Sequence, residues 1–198
     1  MPSVELTQPA VEPVSLDEMK AHCRISLTDE DSYLRTFNIP AARRHAEAFA
    51  HRAFVTRTFR QDVAGGDIFN GTVFTPVAID FSPLVSVQSV YYYVPGASST
   101  TLLATTVYAV DVSDDPGQLW LLPNQAWPSI DQQRFNSVQI SYTAGYGSTA
   151  ESVPENYRMA ILLICAHLLE HRGDEEKHFV MPQSARDLLT PSRVFKFV

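Results

Sequence analysis

The residues best spaced for chemistry lie in HLLEH, His167 to His171, which follows the apolar run MAILLICA. The pattern H-x-x-E-H is the spacing with which one class of zinc peptidase holds a metal between two histidines and uses the glutamate as base. Histidines four apart on a helix share a face, and Glu170 lies about 100° of helix rotation from His171, so all three side chains can line one cleft. A catalytic zinc also needs a third protein ligand and an open position for water. Asp174, Glu175 and Glu176 follow too closely to reach round the same ion from another side, and only 27 residues remain after His171. The expectation is that HLLEH is the polar end of a structural helix that holds no metal or cofactor. A metal-dependent hydrolase is kept as the alternative.

Other candidate chemistry is thinner. The G-Y-G of TAGYGS lacks the further glycine and the Lys-Ser/Thr of a phosphate loop, and reads as a strand-to-helix turn. No serine stands in a nucleophile-elbow context. Cys23 and Cys165 sit among apolar residues, as small buried hydrophobes of a reducing compartment do. The run Tyr91-Tyr92-Tyr93 could stack bases, but it lacks interleaved basic residues and reads as the two faces of a strand. Arg43, Arg44, Arg52, Arg57 and Arg60 form a basic band. It reads either as a solvated face or as a contact with another subunit, for which Arg43, Arg44 and Arg52 are the candidates. The expectation is a non-enzymatic protein.

The elements that must position these residues follow from composition and periodicity. The 198 residues are 45% hydrophobic and 19% charged, which suits one ordinary folded domain or one domain with an insertion. No apolar run approaches the ~18 residues of a membrane span, and the N-terminus lacks the basic and apolar regions of a signal peptide, so a cytosolic protein without membrane contact is expected. Net charge is −7, unevenly spread. Residues 63–153 carry one basic side chain, Arg134, against seven acidic ones. Such a segment should not grip nucleic acid, where affinity rests on neutralising phosphates.

Residues 1–14 contain three prolines and no periodicity, and read as a flexible arm. Ser15 and Glu18 make a capping box for a short helix. Thr28, followed by three acids, starts a second helix in which Pro40 predicts a kink or restart near Asn38. From Phe54 the period changes to two, through FVTRTFRQDV, VFTPVAIDF, SVQSVYYYV, TVYAVDV, GQLWLL and NSVQISYTA, with turn residues between the runs. Six short strands of this kind predict an antiparallel sheet or sandwich. Helical period then returns: Ser152 and Glu155 make a second capping box, and Gly173 is a stop. The helix between is apolar all round in MAILLICAHLL, which marks a helix covered on every side, in part by neighbouring copies. A short helix, Ser184 to Leu189, precedes the tail SRVFKFV. The fold class expected is α+β. Helical segments 15–53 and 152–190 pack together as a core, 54–147 form an inserted antiparallel β module, and 191–198 are a tail.

The ordered segments VSLDEMKAHCRI, DEDSYL, AEAFAHRAFVTRTFR, FSPLVSVQSVYYY, YAVDVSDDPGQLWLLPNQAWP, VQISYTAGYG and VPENYRMAILLICAHLLEHR resemble the head–tail connector (adaptor) proteins of long-tailed bacteriophages and phage-derived gene transfer agents. The resemblance spans about residues 14–193. It implies a structural protein of the virion or particle neck, assembled in the bacterial cytoplasm. About a dozen copies would form a ring between the portal and a stopper or tail terminator, with DNA passing through the lumen without sequence-specific binding. It also implies that the tail docks on the portal through Arg193, Val194, Phe195, Lys196, Phe197 and Val198. An acidic middle would then let DNA slide. Another neck ring protein, a stopper or tail terminator, is the nearer alternative. Two positions depart from the family pattern. Asn38-Pro40 interrupts a helix that usually runs on through alanines, and His171 stands where asparagine is usual in A-H-x-x-E-N-R. Read against that ending, Glu170 and Arg172 are expected to make polar contacts within or between subunits, and His167 to be a packed, hydrogen-bonded histidine.

Overall fold

The computed structural model describes residues 3–68, 76–172 and 179–194. In chain order the elements are β1 (Ser3–Glu5), α1 (Leu16–Cys23), α2 (Asp31–Tyr33), a π-helical turn (Leu34–Asn38), α3 (Ile39–Ala50), β2 (Arg57–Val63), α4 (Gly65–Ile68), β3 (Val77–Ala78), β4 (Leu84–Tyr93), β5 (Thr100–Leu102), β6 (Tyr108–Asp111), β7 (Gln118–Leu121), β8 (Val138–Ala144), α5 (Glu155–Glu170) and α6 (Gln183–Leu189). They form the α+β fold expected. The chain divides into a β unit, residues 1–8 and 56–145, and a helical unit, residues 9–55 and 146–198.

In the helical unit the first capping box forms as the sequence predicts. Ser15 Oγ accepts the Glu18 N–H at 3.2 Å, and Glu18 Oε2 accepts the Ser15 N–H at 2.8 Å. The second does not. Pro154 occupies the N-cap of α5, while Ser152 lies in a 3₁₀ turn with its hydroxyl 3.0 Å from that of Thr149. The residue before a proline is driven into extended backbone, so Val153 cannot continue the turn and the helix starts at Glu155. Pro40 acts one turn upstream of itself. It has no N–H for the carbonyl four residues back and its ring would crowd that carbonyl. The preceding turn is widened, and the Ile39 N–H reaches the Leu34 carbonyl five residues away. Leu34 and Ile39 both remain buried.

Beyond the π turn, Ala42, Ala46 and Ala50 present small side chains at helical spacing, and α3 packs against α5 there. Tyr157, Ile161, Ile164 and Cys165 form the buried side of α5, joined by Met19 of α1 and by Ala185 and Leu189 of α6. Each fully buried Ile, Leu or Met contributes about 1.5–3 kcal/mol relative to exposure. Phe54, at the exit from the helical segment, stacks on Tyr157 with ring centroids 4.8 Å apart. One chain does not cover α5 completely. Leu162, Leu163, Leu168 and Leu169 are only partly buried, and Met159 is 45% exposed.

The β unit holds two antiparallel sheets, one ordered β1-β2-β8-β4-β5 and the other β3-β7-β6. Strands β2 and β8 alternate strictly between buried and half-buried residues, which sets their register: Phe59 faces Tyr142, and Gln61 faces Ile140. Phe59 stacks between Phe81 at 4.7 Å and Tyr142 at 5.5 Å. The N-terminal segment read as an arm supplies edge strand β1, with Glu5 opposite Phe59. Ser3 Oγ accepts from the Tyr142 hydroxyl at 3.1 Å and donates to Asp80 at 2.7 Å. Burial first, and the nearby Asp80 carboxylate as well, push the Tyr142 hydroxyl above its ordinary range, so it stays protonated. Of the described part of VFTPVAIDF, residues 76–81, only Val77–Ala78 is a strand, and β5 carries no alternating run of its own. Gly117 lies so close to Leu84 that a Cβ would stand 2.6 Å from its Cδ2.

The stacked trio predicts that Phe59→Ala lowers the unfolding free energy by about 3–5 kcal/mol, read from denaturant midpoints at constant m.

Candidate functional site

The helix that carries HLLEH ends at Glu170, and His171 caps it. The His171 backbone N–H donates to the His167 carbonyl at 3.1 Å, and His171 Nδ1 lies 2.9 Å from the same oxygen, satisfied when that nitrogen carries the proton. The two imidazoles face each other with centroids 4.1 Å apart. His167 also meets the edge of Phe179, whose other contact is a stack on His45 at 4.2 Å. Arg172 pairs with Glu30 at 2.7 Å and lies 4.9 Å from the centre of the Tyr33 ring. Glu170 is exposed. Among the described residues no three His, Cys, Asp or Glu side chains cluster so as to hold a metal ion, while Asp174, Glu175 and Glu176 fall outside those residues. The site is therefore a close, tilted histidine pair with one nitrogen committed to the helix cap, flanked by an ion pair within the chain.

The basic band is not one solvated face, because Arg43, Arg52 and Arg57 are all buried. Arg43, on α3, is 1% exposed. Its Nε donates to Glu12 and its Nη1 to Glu47, both at 2.8 Å. The other Glu47 oxygen accepts the Phe54 N–H at 2.9 Å. Arg57 pairs with Glu5 at 2.7 Å and Arg60 with Asp62 at 3.1 Å. Arg44 is exposed. The part played by Glu12 is invisible in the sequence because it sits in a proline-rich stretch without periodicity. Glu47, four residues after Arg43 on one helix face, is a local sign of the pair.

Arg52 holds the root of the C-terminal tail. Its Nη1 donates to the Tyr146 hydroxyl at 3.1 Å, which donates to that of Tyr157 at 3.0 Å, and its Nε donates to the Ser192 carbonyl. The Val194 N–H donates to the Ala50 carbonyl at 3.1 Å, and the Arg193 guanidinium lies 4.7 Å from the Phe49 ring centre. Two of the six candidate docking residues, Arg193 and Val194, are thus folded back onto α3. Phe195, Lys196, Phe197 and Val198 lie outside the described residues. Asn38, marked in the sequence only as the place where the helix is interrupted, is buried where the π turn meets α5 and donates from Nδ2 to the Cys165 carbonyl at 3.3 Å. Both cysteines are free, and burial pushes the Cys165 thiol up to about 12.

A two-helix start, a β segment returning to a long helix, and a tail rooted on α3 define an α+β protein. Residues 13–87 match the family model described as phage gp6-like head–tail connector protein, which shows the head–tail connector resemblance that the ordered segments carry. No curated protein sequence matches significantly. Among solved structures, the fold is similar to a chain of the virion of a native gene transfer agent particle. The TM-score is 0.76 at 21% identity, covering 100% of this chain and 98% of that one. It is similar also to chains from the neck of the empty particle computed with C6 symmetry (TM-score 0.76, 20% identity) and the neck of the native particle computed with C12 symmetry (0.69, 21%), at the same coverage.

Two expectations follow from these geometries. Arg43→Met strands the buried Glu47 carboxylate and should cost about 3–5 kcal/mol of stability, read by urea unfolding. Burial first, then the neighbouring His171, hold the His167 pKa below its ordinary value, against a smaller opposite pull from Glu170. The unfolded chain therefore binds more protons than the native one as pH falls below about 6.5, and stability should drop in that direction. Unfolding curves at about pH 7.5 and 5.5 should show the loss, and His167→Gln should reduce it.

Proposed function

We propose that the protein is a structural adaptor of a particle neck. Roughly a dozen copies form a ring between the capsid portal and the tail machinery, a stopper or tail terminator, and DNA passes through the lumen. The observation that carries this reading is the likeness of the whole chain, 98–100% covered on both sides, to chains from the neck of a particle whose native neck was computed with C12 symmetry. The head–tail connector match over residues 13–87 supports it independently. The incompletely covered α5 is what a chain completed by neighbouring copies leaves exposed. Among the described residues no helix is long and apolar enough to cross a membrane. Assembly takes place in the bacterial cytoplasm and the finished protein resides in the neck of a phage or gene transfer agent.

Within that ring, Arg44, Glu170 and Arg172 lie exposed and belong to the contact between copies. Arg43, Arg52 and His167 act on it by fixing the helices that carry it. The tail from Arg193 to Val198 docks on the portal, starting from the point that Arg52 and Ala50 hold. The acidic β unit repels phosphate, which favours sliding over binding. Electron microscopy of particles assembled with and without the protein tests the reading. The expected result is a ring of this chain directly below the portal and, without it, filled heads separate from tails. Normal joined particles without the protein would overturn it. Removing residues 195–198 should leave the ring intact and abolish its sedimentation with the portal.

A further inference from the structure

Phe135 is 89% exposed, more than any other large apolar side chain among the described residues. The loop that carries it is braced on all sides. The Asp131 N–H donates to the Tyr93 carbonyl and the Tyr93 N–H to the Ser137 carbonyl, each at 2.9 Å. Ser137, fully buried, places its hydroxyl against the carbonyls of Asp131 and Arg134. The Arg134 carbonyl also accepts the Gly65 N–H at 3.2 Å. Gly65 packs so tightly there that a Cβ would meet the Asp131 carbonyl and Gln132 Cα at 2.6 Å. Arg134 turns back from the tip, its guanidinium 3.8 Å from the Tyr93 ring centre and donating to the Ala97 carbonyl at 3.2 Å. An aromatic ring held out by a loop already fixed loses little freedom on binding, which is the property of an interface anchor.

Charge selects the kind of partner. The β unit carries eight carboxylates and three arginines. Arg57 is paired with Glu5 and Arg60 with Asp62, while Arg134 keeps its charge and lies against the Tyr93 ring, which leaves the unit net acidic. Asp67, exposed on α4, and Asp131, half-buried in the loop itself, are the acidic residues of these two adjoining segments. The helical unit has twelve basic and fourteen acidic residues, so neither unit of a second copy carries net positive charge. We infer that Phe135 is an anchor that inserts into an apolar socket rimmed by Lys or Arg on a different protein of the assembly. A nucleic acid base is the poorer occupant, because phosphate would approach a net-acidic unit. The inference rests on the neck reading only for where that protein is sought.

The test places the photo-crosslinker p-benzoylphenylalanine at position 135 in particles assembled in the producing cell, and identifies the adduct by mass spectrometry. The expected adduct joins position 135 to another protein beside Lys or Arg residues. With the protein present in the particle, an adduct to a second copy, an adduct to DNA, or no adduct overturns the anchor and leaves the adaptor reading standing. Absence of the protein from the particle overturns both. With the crosslinked protein purified, Phe135→Ala should keep its unfolding midpoint yet bind roughly 30-fold more weakly. Wild-type binding should weaken as salt is raised from about 0.1 to 0.5 M. Unchanged affinity in Phe135→Ala also overturns the anchor.

Discussion

A guanidinium taken out of water must be neutralised and have its donors filled, and in the helical unit this demand falls on Arg43. Glu12 answers it from the segment before α1 and Glu47 from the next turn of α3. Glu47 then gives its second oxygen to the Phe54 N–H, so one carboxylate fixes both the arginine and the path by which the chain leaves the helix. His51 makes that exit possible with left-handed backbone at φ 53°, and Phe54 goes on to stack against Tyr157 of α5. N-terminal segment, α3, the exit and α5 are thereby set in register around one buried charge. Apolar residues of the same volume could match its stability. What the polar cluster adds is that few other arrangements of these segments satisfy every group.

Where a signal is local, the sequence shows it. Ser15 and Glu18 satisfy each other within one turn, and nothing distant interferes. The pattern at Ser152 and Glu155 looks the same, but the proline between them forbids the turn that would bring the two together. The alternation in β2 and β8 is legible because one face of each strand is buried. Strand β1 has no such signal. Three residues pair only because the edge of β2 offers unsatisfied backbone groups. Long-range neutralisation hides Arg43 in the same way. A charged residue on an amphipathic helix reads as solvated until a distant carboxylate is known to cover it.

HLLEH shows the opposite case, in which the spacing is legible and the chemistry does not follow from it. Two histidines a turn apart lie ring against ring at a tilt, and one spends a nitrogen on the carbonyl that the helix end leaves open. The neighbouring charges look outward to other segments, Arg172 to Glu30 and Tyr33. A helix terminus has its own hydrogen-bonding needs, and His171 Nδ1 meets one of them, while among the described residues no third ligand stands near the two rings. Arg52 does comparable work for the tail, whose root is held by the Arg52 side chain at the Ser192 carbonyl and by one backbone bond from Val194 to Ala50 of α3.

The π turn before Pro40 amounts to one residue looped into an otherwise regular helix. Seen that way it is a seam. The wide turn absorbs the extra length and keeps Leu34 and Ile39 in the core on either side of it. Chain length can therefore change by one residue at this point while the faces of α3 that meet α5 stay where they are. The helix carries its own expansion joint, placed where the proline had already interrupted the ladder of hydrogen bonds.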